Sequence, residues 1–218
     1  MTLSDRNISG KEIEEIAHIS KLRVLSFVRC SFPSNDFNNV FKLSELSSLL
    51  VNDCRIDDSD TIDLLRCQKL RQIVFQRTEI GDATLAQLCQ LHTLEYLDLS
   101  YSKKIAKGVA SLSLLPALKS LNLDGTSVDD SVLEPLLKSK NLESLTVDDS
   151  KVSALSASAA LSAFVPYRTG VRQQVFEVIV RQAMAGAPWQ DICRGPLEVN
   201  EISEEEILVE LERRKSSA

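Results

Sequence analysis

The sequence predicts an α/β solenoid, a stack of strand–helix units with parallel strands on one side and helices on the other. A repeat of unvarying length and two apolar patterns inside each repeat point to this architecture. Six segments recur at a period of 24 residues and share the form L-x-x-[LI]-x-[VLF]-x-x-[TCS]. Self-similarity at one fixed period is the signature of a repeat protein, in which each unit contacts mainly its neighbours.

The first apolar pattern predicts a strand in each unit. Apolar and polar residues alternate, as in the run 121–123, and a period of two is typical of a short strand with one buried face. The leucines that open the six segments are Leu22, Leu46, Leu70, Leu94, Leu118 and Leu142. The small residues that end them are Cys30, Cys54, Thr78, Ser102, Thr126 and Ser150.

The second pattern predicts a helix after each strand. Leu85 and Leu88 are three positions apart and therefore share one helical face. Asp58, Asp82 and Asp130 are placed to accept amide hydrogen bonds at a helix start. A single strand–helix unit cannot bury both of its elements, so the units must stack. Helices are wider than strands are spaced, and we expect the stack to curve with its strands on the concave side.

The edges of the repeat predict three regions. Ile8, Ile13 and Ile16 lie 72 residues before their equivalents in a later repeat, so residues 1–20 are predicted to supply the helical half of a capping repeat. The array of six repeats is predicted to span residues 21–165, and residues 166–218 to form a helical tail. In the fourth repeat Ile105 lies one position late, and we expect a local bulge there.

The segment LKSLNLDGTSVDDSVLEPLLKSKNLESL resembles a leucine-rich repeat with Thr, Ser or Cys at the ninth position. The resemblance extends over residues 5–165. It implies a curved horseshoe whose concave strand face usually binds another macromolecule, most often a protein. It implies no catalytic activity and names no partner, since a fold carries function only weakly.

Composition and motifs disfavour several classes of function. The net charge is −6 and no basic stripe is visible, so nucleic acid is not an expected partner. No apolar run is long enough to cross a bilayer and no secretion signal is present, which predicts a cytoplasmic protein without membrane contact. The sequence holds no phosphate-binding glycine loop, HExxH, G-x-S-x-G or Cys-x-x-Cys motif, so we expect no catalytic residues, metal or cofactor. The five cysteines are expected to be free thiols.

The strand residues between the buried leucines are expected to point into the concave face, where their charge is uneven. The variable positions of the first three strands hold four arginines and one aspartate, a net charge of +3. Those of the last three hold one lysine, four aspartates and two glutamates, a net charge of −5. Arg29, Asp53 and Arg77 are lateral neighbours and are expected to pair. Asp124 and Asp148 have no such partner, and a calcium site there is an alternative to a solvated or partner-facing cluster.

These positions predict a binding surface for a protein with a basic patch. Its apolar members are too exposed to belong to the core, and its two tyrosines are expected to anchor the interface. Its aspartates are expected to steer the partner. The predicted partner-binding residues are Val24, Val28, Leu50, Val74, Tyr96, Asp98, Tyr101, Asp124, Asp148 and Asp149.

The sequence therefore favours a non-catalytic protein-binding scaffold. One alternative is an adaptor that resembles the leucine-rich-repeat substrate receptors of ubiquitin ligases, which require an additional helical docking domain. The other is an enzyme with its site in the loop Trp189–Asn200, which contains the only tryptophan.

Overall fold

The computed structural model describes residues 1–33 and 36–153, and the predicted α/β solenoid is confirmed. Seven strands form one parallel sheet in sequential order. They are β1 (Thr2–Ser4), β2 (Val24–Val28), β3 (Ser48–Asn52), β4 (Gln72–Gln76), β5 (Tyr96–Asp98), β6 (Ser120–Asn122) and β7 (Ser144–Thr146). Each strand pairs with the next at an offset of 24 residues, as in Leu25 opposite Leu49 and Leu49 opposite Ile73. Equivalent positions of successive repeats are therefore lateral neighbours.

Strand β1 adds a seventh strand that the helical-half prediction for residues 1–20 did not include. Leu3 lies opposite Phe27, so the 24-residue register extends to the first residues of the chain. The first helix, α1 (Gly10–Ala17), follows as predicted. Ser9 caps it by accepting the Glu12 amide proton, and the Glu12 carboxylate accepts the Ser9 amide proton in return. The first repeat thus has both a strand and a helix.

The side opposite the strands contains short α-helices and more 3₁₀-helix than the sequence predicted. Besides α1, the α-helices are α2 (Asp82–Leu88) and α3 (Leu133–Leu137). The 3₁₀-helices are Asp36–Lys42, Asp58–Thr61, Leu64–Arg66, Lys107–Leu114 and Asp130–Val132. A 3₁₀-helix rises about 2.0 Å per residue against about 1.5 Å for an α-helix, so it returns the chain along the repeat in fewer residues.

The core lies between the sheet and these helices. The leucine and isoleucine column from Leu25 to Leu145 is at most 3% exposed throughout. At the N-terminal end, the rings of Phe27, Phe32, Phe37 and Phe41 form a chain of edge-to-face contacts with centroids 5.0–5.9 Å apart.

The small residues at the ninth position join one repeat to the next inside the core. The Thr78 amide donates to the Ser102 hydroxyl at 3.2 Å, and that hydroxyl donates to the carbonyl of Phe75 at 2.8 Å. The Cys30 amide donates to the Cys54 sulfur at 3.2 Å. A small polar or thiol side chain is required here because it must satisfy a buried backbone group of the preceding repeat.

The prediction that Asp58 and Asp82 accept amide bonds at a helix start is confirmed with one change: the helix start belongs to the following repeat. Asp58 Oδ1 accepts the amide protons of Gly81 and Thr84, at 2.7 and 3.2 Å, and the Thr84 hydroxyl at 2.6 Å. Asp82 Oδ1 accepts the Gly108 amide proton at 3.3 Å. The carboxylates therefore fasten adjacent repeats together.

Within a repeat, the helix cap is the residue directly before the predicted aspartate. Asp57 caps the 3₁₀-helix Asp58–Thr61 by accepting the Ser59 amide proton at 2.8 Å. Asp129 caps Asp130–Val132 in the same way through Ser131, at 3.0 Å.

The irregular fourth repeat keeps its lateral register. Pairing of β5 with both neighbours runs without interruption from Tyr96 to Asp98. Lys103 and Lys104 lie exposed in the turn that follows, and Ile105 is fully buried despite its late position. The extra residue is therefore absorbed after the strand, in the turn where the local bulge was predicted. The predicted tail, residues 166–218, lies outside the described residues.

Replacing Asp58 by alanine should lower the free energy of unfolding by about 1–2 kcal/mol, the usual cost of losing a helix cap. The expected loss arises because the Gly81 and Thr84 amides would lose their acceptor. Urea denaturation followed by circular dichroism measures the change. Asp63→Ala, which removes only an exposed ion pair with Arg66, is the control and should have a much smaller effect. Equal losses in the two variants would contradict the inter-repeat cap.

Candidate protein-interaction surface

The side of the sheet opposite the helices carries one side chain from every second strand residue, and we call it the strand face. Because the register is fixed, these side chains form three rows across the sheet. The first row is Val24, Ser48, Gln72, Tyr96, Ser120 and Ser144. The middle row is Thr2, Ser26, Leu50, Val74, Asp98, Asn122 and Thr146. The third begins Ser4, Val28, Asn52, Gln76 and is extended beyond the strands by Ser100, Asp124 and Asp148.

The apolar residues of the strand face gather on β2, β3 and β4. Val24 is 49% exposed, and Val28 and Leu50 are half-buried. Val74 lies beside Leu50 but is only 8% exposed, so the expectation that it is an exposed anchor is wrong. Its short side chain is covered because Leu50 and Asp98 flank it in the same row. Val74 therefore contributes little exposed area to the strand face.

Aspartates occupy the other half of the strand face. Asp98 is 9% exposed and accepts the Ser100 amide proton at 2.9 Å. Asp124 is half-buried and accepts the Asp148 amide proton at 2.8 Å, while the Asp148 side chain itself is exposed. Burial raises the pKa of the Asp124 carboxyl against the effect of that hydrogen bond, and the charges of Asp148 and Asp98 raise it further. The charges of Asp148 and Asp98 therefore disfavour the charged form of Asp124.

Tyr96 lies at the border between the two halves. It is half-buried at the start of β5, between Gln72 and Ser120. Burial raises the pKa of its phenol, and the nearby Asp98 charge adds to the rise. A ring in this position presents apolar area next to a carboxylate.

Tyr101 and Asp149 do not lie on the strand face, in contrast to the prediction. They belong to a column at the carboxyl ends of the strands in which the backbone turns to positive φ in every repeat. Its members are Asp5, Arg29, Asp53, Arg77, Tyr101, Gly125 and Asp149, with φ from 50° to 63°. The turn carries these side chains to the edge of the sheet, so Tyr96 and Tyr101 lie at opposite ends of the β5 repeat.

Lateral ion pairs also differ from those predicted for Arg29, Asp53 and Arg77. Arg29 donates to both carboxylate oxygens of Asp5, from Nε to Oδ1 and from Nη2 to Oδ2 at 2.9 Å. The Arg77 guanidinium lies 4.7 Å from the centroid of the Tyr101 ring. The reason is that Asp5, which follows β1, supplies a carboxylate on the far side of Arg29, and Asp53 forms no ion pair among the described residues.

At the opposite edge, Arg71 and Lys119 each pair with Glu95 at 3.2 Å. These pairs neutralise much of the charge counted at the starts of the strands. The remaining charge on the strand face itself is acidic, and it lies on Asp98, Asp124 and Asp148. No carboxylate of this trio forms an ion pair within the described part of the chain.

Reactive groups are few in the described ranges. Burial raises the pKa of the Cys54 thiol to about 11 and that of Cys67 to about 12. Both thiols therefore stay protonated and are poor nucleophiles at neutral pH. Residues 1–33 and 36–153 contain no group of three or more His, Cys, Asp or Glu side chains placed to hold a metal ion. No helix in these ranges has the length and apolar character needed to span a bilayer. The loop Trp189–Asn200 lies outside them.

Comparison with known proteins bears on the fold. No family model matches the chain, and no curated protein matches it. Among solved structures, an internalin (inlF) from Listeria monocytogenes is similar with a TM-score of 0.53 and 18% identity, over 70% of this chain and 48% of that one. Internalin C2 (inlC2) from the same organism gives 0.49 and 17%, over 70% of this chain and 73% of that one. This chain thus spans about half of the first structure. Internalins are leucine-rich-repeat proteins, and this chain has the leucine-rich-repeat fold.

Proposed function

We propose that the chain is a non-catalytic scaffold that binds another protein on its strand face. The observation that carries this proposal is the division of the strand face, which is exposed in part, into an apolar half and an acidic half, with Tyr96 at the border. An apolar patch bordered by charge is typical of a protein-binding site.

The apolar half supplies area that a partner would remove from water. Val24 is half exposed although it lies in a sheet, and Leu50 stands next to Val74 in the middle row. Burial of apolar area stabilises a complex by about 25 cal/mol per Å² before the costs of association. The core below holds these side chains in place, which limits the entropy lost on binding.

The acidic half supplies the specificity. Asp124 and Asp148 are neighbours in the third row, and Asp98 lies close by in the middle row. None of them forms an ion pair among the described residues, so the repulsion of Asp124 by the other two is not relieved within this part of the chain. A lysine- or arginine-rich patch on the partner would relieve it and would also accelerate association.

The area of the strand face sets the expected strength. The three rows extend over about five residues of each repeat, and with strands about 4.8 Å apart they give a face of roughly 500 Å². A standard interface buries about 800 Å² per partner. Binding through the strand face alone is therefore expected to be weak and transient.

The two alternative functions have less support. Nothing in the described residues favours a ubiquitin-ligase adaptor over a general scaffold, and the residues of the proposed enzyme loop are not described. Cytoplasmic localisation stays a prediction.

Affinity capture tests the proposal when three forms of the full chain are compared. These are the unchanged chain, a strand-face variant with Leu50→Ala and Tyr96→Ala, and a matched control with Ile62→Ala and Leu114→Ala. The control residues are 64% and 82% exposed, so it removes apolar area of a similar kind away from the strand face. A partner retained by the control and lost by the strand-face variant supports the proposal.

For a captured partner, the strand-face double variant should weaken binding by about 1–4 kcal/mol, the range of hot-spot truncations. The reason is that both side chains are exposed enough to be covered by a partner while the buried columns stay intact. Isothermal titration calorimetry gives the affinity and circular dichroism confirms the fold. Unchanged affinity in a folded strand-face variant would rule out the strand face.

Asp148→Lys should slow association and remove much of its salt dependence, because the exposed carboxylate would no longer attract a basic patch. Glu14→Lys makes the same charge change on α1, remote from the strand face, and is the control. Stopped-flow association rates at low and high salt separate the two. Equal slowing in both variants would mean that only net charge matters.

Asp124→Asn should stabilise the fold at neutral pH. The pKa of Asp124 is raised in the folded state, so the folded chain binds this proton more tightly than the unfolded chain does. The resulting contribution to the free energy of unfolding is present at low pH and is lost as pH rises through that pKa. Asparagine mimics the protonated acid and keeps an oxygen for the Asp148 amide. The advantage over the unchanged chain should vanish below about pH 4, the ordinary range of an aspartate. Urea midpoints across this range measure it, with Asp149→Asn as the exposed control. A variant less stable at pH 7 would contradict the repulsion.

A further inference from the structure

A second concave surface lies at the carboxyl ends of β3, β4 and β5, at the edge of the sheet. The turns 53–55, 77–79 and 101–104 line an open groove of about 720 Å³, which we call the edge groove. It is separate from the strand face because the positive-φ residues Asp53, Arg77 and Tyr101 turn the chain away from the sheet there.

Positive charge is in excess in the edge groove. Four cations line it, Arg55, Arg77, Lys103 and Lys104, against the two carboxylates Asp53 and Glu79. Glu79 is shared, since Arg55 lies 3.4 Å and Lys104 3.2 Å from it. Within the described ranges no carboxylate pairs with Arg77 or Lys103. Both therefore retain charge for a ligand.

Tyr101 and Gly125 hold these two cations in position. The Tyr101 ring packs against Gly125, where an added Cβ would lie 2.4 Å from the ring atom Cδ1. The Arg77 guanidinium lies over the ring at 4.7 Å from its centroid, and the Lys103 ammonium donates to the carbonyl of Gly125. An arginine held on an aromatic ring keeps its N–H edges free for a carboxylate and loses little side-chain entropy on binding.

We propose that the edge groove binds a short acidic peptide segment of a partner protein. Carboxylates on neighbouring residues of such a segment can accept paired hydrogen bonds from Arg77 while Lys103 and Lys104 contribute charge. The aspartates on the adjacent strand face and the net charge of −6 disfavour a long polyanion such as nucleic acid. The site does not depend on the strand face, although one partner could touch both.

Fluorescence polarisation with the full chain tests the site. The probe is a fluorescein-labelled peptide of alternating Asp and Glu, and the same peptide with Asn and Gln is the uncharged control. We expect binding of the acidic peptide alone, weakened as NaCl rises from about 50 to about 300 mM, since the charges lie at the surface. Absence of acidic-peptide binding at low salt would overturn the proposal.

Charge-matched variants separate the edge groove from general electrostatics. Arg77→Asn with Lys103→Gln removes the two uncommitted cations, and asparagine tolerates the positive φ at position 77. Arg23→Gln with Lys119→Gln removes the same charge at the opposite edge of the sheet. The first pair should weaken peptide binding about tenfold, whereas the second should change it by less than about twofold. Equal effects would overturn the proposal.

Two further measurements test the class of ligand. Backbone amide shifts on adding the acidic peptide should concentrate at residues 77–79, 101–104 and 125, and shifts confined to the strand face would contradict the site. If a labelled oligothymidylate binds more tightly than the peptide, the ligand of the edge groove is a nucleic acid and the peptide proposal is overturned. Light scattering tests whether the ligand is a second copy of the chain. A dimer that is abolished by Arg77→Asn with Lys103→Gln would identify that copy as the ligand and overturn the peptide proposal.

Discussion

In-register pairing between repeats is the interaction on which the rest of this molecule depends. A strand of three residues such as β6 or β7 cannot persist alone, and its backbone groups are satisfied only by the neighbouring repeats. Because the offset is always 24 residues, every position meets its equivalent on both sides. One long repetitive core results, and its stability comes from contacts between neighbours.

Side chains reinforce the same contact between neighbours. Asp58 accepts amide bonds from the next repeat, and Ser102 accepts one from the preceding repeat. Both interactions are buried or half-buried, where an unsatisfied amide is costly. The first and last described members of two columns are less covered: Leu22 and Ser150 are only half-buried, unlike their equivalents inside the stack.

The register also decides the character of the surfaces. Asp124 and Asp148 occupy equivalent positions and stand side by side, and Asp98 lies one row away, so the register itself brings the three carboxylates near one another. At the edge of the sheet, the register likewise brings the positive-φ residues of neighbouring repeats together. The Tyr101 ring contacts the Arg77 guanidinium there, because Gly125 leaves room for the ring. An acidic face and a basic groove thus lie on one rigid frame.

The sequence by itself determined the period, the buried columns and the strand-face positions, because apolar spacing alone states which side of each element is buried. It missed β1, whose three residues are too few for a pattern, and it left Asp5 out as the partner of Arg29. Only the tertiary structure buried Val74 and moved Tyr101 to the edge groove. Burial within a row depends on the size of lateral neighbours, and side-chain direction after a strand depends on the backbone turn, and neither is encoded in hydrophobic periodicity.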